Sequence, residues 1–234
     1  MSAAHDDIQE FIDFMAARSA ADMISGRRGA DLEAIARFAE RVPYALPPLY
    51  MGFLREFGEH AGGVGLGGDG SSRLTDILDF YDSAPHEVPH GSVVIQTPAI
   101  AAAVVLRYEA REPTVCHAWQ GDTVGVYAPS FAHHLFRSGW LRAHWPNRED
   151  LTTRTGLAEV ERYALAIGLE RQWFGGGEAR CFVGDGAVVD LERTGDGTRI
   201  SVLGRRARAR DTYAQAFVRK FGARWLNRRE TPNQ

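Results

Sequence analysis

The spacing of apolar residues changes abruptly along this chain, and the change limits the folds open to it. Before Gly91 they recur at helical spacing, and the clearest stripe is Tyr50, Phe53, Leu54 and Phe57, at positions i, i+3, i+4 and i+7. From Gly91 to Tyr127 they alternate with a period of two, which is typical of half-buried strands. Helices followed by a block of strands predict an α+β protein.

Four helices are predicted before the strands, at about residues 7–23, 31–43, 48–57 and 73–81. Asp6 or Asp7 can cap the first helix and Asp31 the second, because a carboxylate accepts hydrogen bonds from unpaired N–H groups of the first turn. The expected stripe of the first helix is Ile8, Phe11, Ile12 and Met15. The residues of the second helix that are expected to face inward are Leu32, Ile35, Phe38 and Ala39.

Four strands are predicted next, at residues 92–97, 101–109, 114–119 and 123–127. Their short connections favour an antiparallel meander. A helix at about residues 129–140 follows, because Pro129 suits a first turn. Trp145-Pro146-Asn147 then marks a predicted boundary.

The remaining chain predicts an α-β-β-β-α segment: a helix at about 156–173, strands at 179–183, 187–193 and 198–203, and a last helix capped by Asp211. Asp-Gly pairs supply the positive φ of the tight turns between the strands. The predicted organisation is an N-terminal helical extension (1–30), a main domain (31–146) and a C-terminal subdomain (147–234). Helix stripes need an apolar surface to cover, so the subdomain is expected to dock on the main domain.

The charge distribution points to a protein partner and away from nucleic acid. Residues 1–150 hold 20 acidic and 12 basic side chains, whereas residues 151–234 hold 10 and 15. An acidic front part repels nucleic acid and attracts a basic partner. The run from Arg205 to Arg210 lacks interleaved aromatic residues and is interpreted as a solvated connector.

Further features of composition predict a cytosolic protein with no membrane partner. No apolar run approaches the ~20 residues that a membrane-spanning helix needs. The N-terminus lacks the basic start and apolar stretch of a signal peptide. Cys116 and Cys181 are expected to be buried free thiols, since a secreted scaffold would use more cysteines.

Three patterns resemble chemical motifs but fail on geometry. In His86-Glu87-Val88-Pro89-His90, which matches a zinc-protease pattern, Pro89 disfavours the helix that the pattern requires. Gly63-x-Gly65-x-x-Gly68 follows a helix, although a dinucleotide fingerprint needs a preceding strand. His133 and His134 are about 100° apart on a helix and are interpreted as a solvated or interface pair. We therefore predict no catalytic residue, metal or cofactor, and a chain that is not an enzyme.

The stretch Leu46-Pro47-x-x-Tyr50-x-x-Phe53-Leu54-x-x-x-Gly58 resembles the SUKH superfamily pattern. The downstream order is similar, with Val88-Pro89-x-Gly91 leading into a strand and Ala128-Pro129-Ser130-Phe131 opening a helix. The resemblance covers residues 31–145 and implies a mostly antiparallel sheet flanked by helices. Bacterial members of the superfamily are mostly toxin-neutralising immunity proteins. The family's motif is characteristic of the fold and does not identify an active site.

The resemblance implies an immunity protein that binds a polymorphic toxin, of which a nuclease is one candidate. The alternatives are a general protein-interaction adaptor and a hydrolase with an unrecognised site. Acidic residues around the fourth helix, with one aromatic anchor, form the predicted partner surface: Asp76, Asp79, Tyr81, Asp82 and Glu87. The competing interpretation of this cluster is an ordinary solvated helix face.

Overall fold

The structure is a computed structural model that describes residues 7–18, 20–66, 70–98, 102–144 and 147–226. The chain divides into two compact units, Met1–Ala143 and His144–Gln234, beside the predicted boundary. The described residues before Asp31 are not separated from the rest of the first unit. Both units combine helices with antiparallel sheets, so the α+β fold class is confirmed. No helix in the described ranges is both long and apolar enough to cross a membrane.

The described helices of the first unit precede and follow a single meander. They are α1 (Ile8–Ala17), α2 (Ala21–Ser25), α3 (Leu32–Arg41), α4 (Pro48–Phe57), α5 (Leu74–Ser83) and α6 (Phe131–His144). The predicted first helix is therefore two helices, because helix α1 ends at Ala17 and the amide of Ala20 bonds back to the Met15 carbonyl. Asp7 caps α1 and Asp31 caps α3, as predicted, each by accepting backbone N–H bonds.

Helix α4 forms the centre of the first unit's core. Its apolar stripe is fully buried, with Tyr50, Phe53, Leu54 and Phe57 each at zero exposure. Phe53 stacks on Phe57 with ring centroids 5.4 Å apart and meets the edge of Phe131 at 5.8 Å. The prediction for α3 was partly wrong, because Leu32 is 70% exposed and Ala39 is also exposed. Its buried face is instead Ala34, Ile35 and Phe38.

The first sheet is the predicted meander, with neighbouring strands in the order β1-β2-β3-β4 and all pairs antiparallel. The strands are β1 (Ser92–Gln96), β2 (Ala103–Arg107), β3 (Thr114–Trp119) and β4 (Asp122–Ala128). One row of paired residues crosses all four strands: Val94, Val105, Cys116 and Val126. The first three are buried, and Val126 on the edge strand is 43% exposed.

The second unit has more strands than predicted. Its six-stranded sheet has the order β10-β5-β9-β8-β7-β6, and the unit's helices are α7 (Leu157–Ala166) and α8 (Ala207–Phe221). The strands are β5 (Arg148–Thr153), β6 (Glu170–Arg171), β7 (Ala179–Gly184), β8 (Ala187–Thr194), β9 (Gly197–Leu203) and β10 (Arg224–Trp225). The three central strands were predicted, whereas β5, β6 and β10 were missed.

Two further predictions for the second unit were wrong in detail. Helix α8 begins at Ala207, so Asp211 lies inside the helix and does not cap it. Four residues of the arginine-rich run therefore belong to the first turn of α8 and are not a connector. Strand β5 is charged, yet it is held in the sheet because the buried Asp150 carboxylate accepts bonds from Ser201 and Arg148 at 2.6 and 2.7 Å.

Candidate functional site

The predicted acidic residues lie on α5 and on the 3-10 turn that follows it. Asp76, Asp79 and Asp82 belong to α5, and Glu87 ends the turn Pro85–Glu87. Asp79 and Asp82 are exposed, whereas Asp76 and Glu87 are half-buried. The four residues thus lie on two consecutive elements, α5 and the turn that follows it.

Tyr81 cannot be the aromatic anchor of this surface, and that prediction was wrong. Its side chain is buried at 8% exposure, and its hydroxyl accepts a 3.0 Å bond from the backbone N–H of Val94. Its ring meets the edge of Phe38 at 5.9 Å. Burial raises the pKa of the Tyr81 hydroxyl, so it stays protonated at neutral pH. Tyr81 therefore fastens α5 to strand β1.

The four carboxylates differ in whether another residue already binds them. Asp76 accepts a hydrogen bond from Ser71 just before the helix, and Asp82 pairs with Arg41 at 2.7 Å. Among the described residues, neither Asp79 nor Glu87 has a side-chain hydrogen bond or ion pair. Asp76 and Asp82 thus support the fold locally, and Asp79 and Glu87 remain available to a partner.

An apolar surface that the sequence did not reveal lies at the edge of the first sheet. Trp119 at the end of β3 is 49% exposed, and Val124 on β4 is 65% exposed. Together with Val126, which is also exposed on β4, they make up what we call the β4 edge, defined as Trp119, Val124 and Val126. The strand pairing places Trp119 and Val124 on one face of the sheet and Val126 on the other. Val126 extends the buried row of the sheet, and all three side chains are exposed in the described part of the chain.

The β4 edge lies beside two acidic residues, Glu87 and Asp122. The tight turn between β3 and β4 contains Gly121 with φ +83°, and a Cβ there would lie 3.2 Å from the carbonyl oxygen of His86. His86 stands next to Glu87, and Asp122 follows Gly121 directly. Apolar and acidic groups are therefore neighbours on one surface.

The three motif-like patterns do not acquire catalytic geometry. His86 lies in a 3-10 turn and Val88 is extended (φ −79°, ψ 115°), so His86 and His90 do not share a face of an α-helix. Gly63 and Gly65 follow α4 and precede no described helix within the pattern, and Gly68 lies outside the described residues. In the described part of the chain, no three His, Cys, Asp or Glu side chains are placed to hold a metal ion.

His134 is buried, so its interpretation as a solvated residue was wrong. The imidazole has zero exposure and meets the edge of Tyr127 at 5.3 Å. Burial, together with the positive charge of Arg137 and the nearby His117, lowers the pKa of His134 to about 3. The nearby Leu66 backbone opposes this shift. The neutral ring is therefore part of the core between α6 and the sheet.

The second unit contains an open groove of about 660 Å³ at the start of α7. Arg154 and Arg224 line it together with Glu159 and Asp196. The two signs of charge balance, so the groove does not select an anionic or a cationic ligand. Both cysteines are buried and free, as predicted.

Comparisons of this chain with protein-family models, with curated proteins and with solved structures found no match.

Proposed function

We propose that this chain is an immunity protein of the SUKH type that neutralises a toxin domain by binding it. The observation that carries the proposal is the β4 edge, where apolar side chains are exposed beside carboxylates. An exposed apolar patch with a polar rim is characteristic of surfaces that bind other proteins. Neutralisation by occlusion requires only such a surface and no reacting group.

The sequence pattern behind the resemblance agrees with this proposal in physical terms. Its aromatic and leucine residues on α4, Tyr50, Phe53 and Leu54, are committed to the core, so the pattern specifies the fold and leaves the surface free to vary. A family in which the core is fixed and the surface varies can bind different partners on one scaffold. The partner is then determined by exposed residues such as Val124 and Asp79.

The proposal predicts that an adjacent gene encodes a toxin domain and that association with this domain is electrostatically assisted. Replacing Asp79, Glu87 and Asp122 by Asn, Gln and Asn should slow association by about tenfold at low salt, because these carboxylates attract a basic partner. At moderate salt the difference should shrink, since mobile ions screen exposed charges. Stopped-flow or surface-based kinetics of both proteins at two salt concentrations measure this.

A matched control replaces Glu33, Glu40 and Asp13 by their amides, which removes the same charge from helices α1 and α3. The control should associate at nearly the parent rate at both salt concentrations. Equal slowing by the two triple variants would show that net charge alone matters. Absence of any complex between the parent protein and the toxin domain would contradict the proposed function.

A further inference from the structure

We propose that the β4 edge, together with Asp122 and Glu87, is the docking surface for a basic protein that contacts it through side chains and not by adding a strand. This inference rests on the proposed function and names the surface and the chemistry of the partner.

Exposed apolar side chains are concentrated at this edge. In the described ranges the large apolar residues with substantial exposure are Leu32, Trp119, Val124, Val126, Leu165 and Leu226. Three of the six lie within eight residues of sequence, on two paired strands. Isolated exposed apolar residues are ordinary, whereas a cluster marks a contact surface.

The two sheets differ in the length and exposure of their edge strands. The second sheet ends in β6 and β10, which are two residues each. In the first sheet, β1 is buried along its whole length, but the opposite edge is the seven-residue β4 with five exposed or half-exposed positions in succession after Asp122. Short or covered edges prevent unwanted association, so a long exposed edge needs a partner or a blocking device.

Strand β4 contains a β-bulge, which hinders pairing with a further strand. Gly125 has φ +126°, and the pairing moves from Ala118↔Thr123 to Cys116↔Val126, which leaves one extra residue on β4. A bulge of this kind bends the strand and interrupts the row of unpaired backbone groups. A partner therefore cannot extend the ladder along the whole edge, while the Val124 and Val126 side chains on either side of Gly125 remain accessible.

The charges around the β4 edge select a basic partner. Asp122 and Glu87 carry negative charge beside it, and two cations of the same unit, Arg41 and Arg107, are already paired. Arg41 pairs with Asp82, and Arg107 pairs with Glu109. The first unit as a whole has 18 acidic and 11 basic side chains. A second copy docking through this same surface would bring like charges together, so a basic protein fits and self-association does not.

The test uses the full chain and two labelled probe peptides. One alternates lysine with valine, and the other alternates glutamate with valine at the same length. The lysine peptide should bind at least about tenfold more tightly than the glutamate peptide. Val124→Arg should weaken the lysine peptide by about tenfold, because it removes apolar contact and adds repulsion. Leu32→Arg is the matched control, since Leu32 is an exposed apolar residue of the same unit, and it should leave affinity within about twofold.

Fluorescence anisotropy measures both affinities, and light scattering of the parent protein measures its mass. Equal binding of the two peptides, no binding of the lysine peptide, or equal effects of Val124→Arg and Leu32→Arg would overturn the proposal. A dimer that Val124→Arg dissociates would also overturn it, because the occupant would then be a second copy. Trp119→Ala is a second variant that should weaken binding of the lysine peptide, and it serves if Val124→Arg does not fold.

Peptide binding without any toxin complex would contradict the proposed function but not the basic docking surface. A toxin complex that Val124→Arg leaves unaffected would contradict the basic docking surface but not the proposed function.

Discussion

Replacing Phe53 with alanine is expected to lower the free energy of unfolding by about 3–5 kcal/mol. Phe53 is fully buried on α4, between Phe57 and Phe131, and truncation leaves a cavity that these rigid rings fill only in part. The loss combines the transfer free energy of the ring with the lost edge and stacking contacts. Urea unfolding followed by circular dichroism measures the effect.

Leu32→Ala provides the control for Phe53→Ala. Leu32 is 70% exposed on α3, so its truncation should change stability by no more than about 0.5 kcal/mol. Comparable losses in the two variants would mean that α4 does not form the centre of the core.

Mild acid should destabilise the first unit through His134. The pKa of His134 is lowered to about 3 in the folded protein, against 6.5 for a free side chain, so the unfolded state binds the proton first. The contribution to stability is fully present above pH 6.5 and is lost as pH falls towards 3. Between pH 6.5 and 3 the free energy of unfolding falls by about 1.4 kcal/mol for each pH unit, which amounts to about 5 kcal/mol over the whole range.

The interval from pH 6.5 to 5 isolates this effect, because most carboxylates titrate at lower pH. Over this pH interval the free energy of unfolding of the parent protein should fall by about 2 kcal/mol, and that of a His134→Gln variant should fall much less. His90→Gln is the control, since His90 is exposed, and it should keep the parent's slope. An unchanged slope in His134→Gln would show that another group causes the acid sensitivity.

Periodicity predicted those parts of the fold in which burial follows a regular spacing. Helix α4 and strand β3 lie where the sequence placed them, because their apolar residues face one core. Strand β5 was missed since its charged residues conceal a strand that is stabilised by the Asp150–Ser201 hydrogen bond. The break between α1 and α2 depends on tertiary packing of Ala20 and Ile24, which spacing alone does not encode. Docking of residues 147–234 on the first domain stays a prediction.

The candidate site was harder to predict than the fold. The sequence identified the acidic residues but not which of them are engaged, because the partners of Asp76 and Asp82 lie on other segments. Tyr81 and His134 were misjudged since both residue types occur buried and exposed. The alternation in β4 predicted a strand, but it contains no information on whether another element covers Val124 and Val126. Only the order of strands in the sheet places them at an edge.

Titration of toxin activity with this protein tests the central claim most directly. An occluding binder inhibits one toxin molecule for each molecule added, so the residual activity of the adjacent gene's toxin domain should fall linearly and end at one equivalent. Full activity should return after the complex is dissociated and the toxin refolded, because no covalent change has occurred. Activity lost at far less than one equivalent, or never restored, would indicate an enzyme acting on the toxin. A toxin that stays fully active at several equivalents would contradict neutralisation altogether.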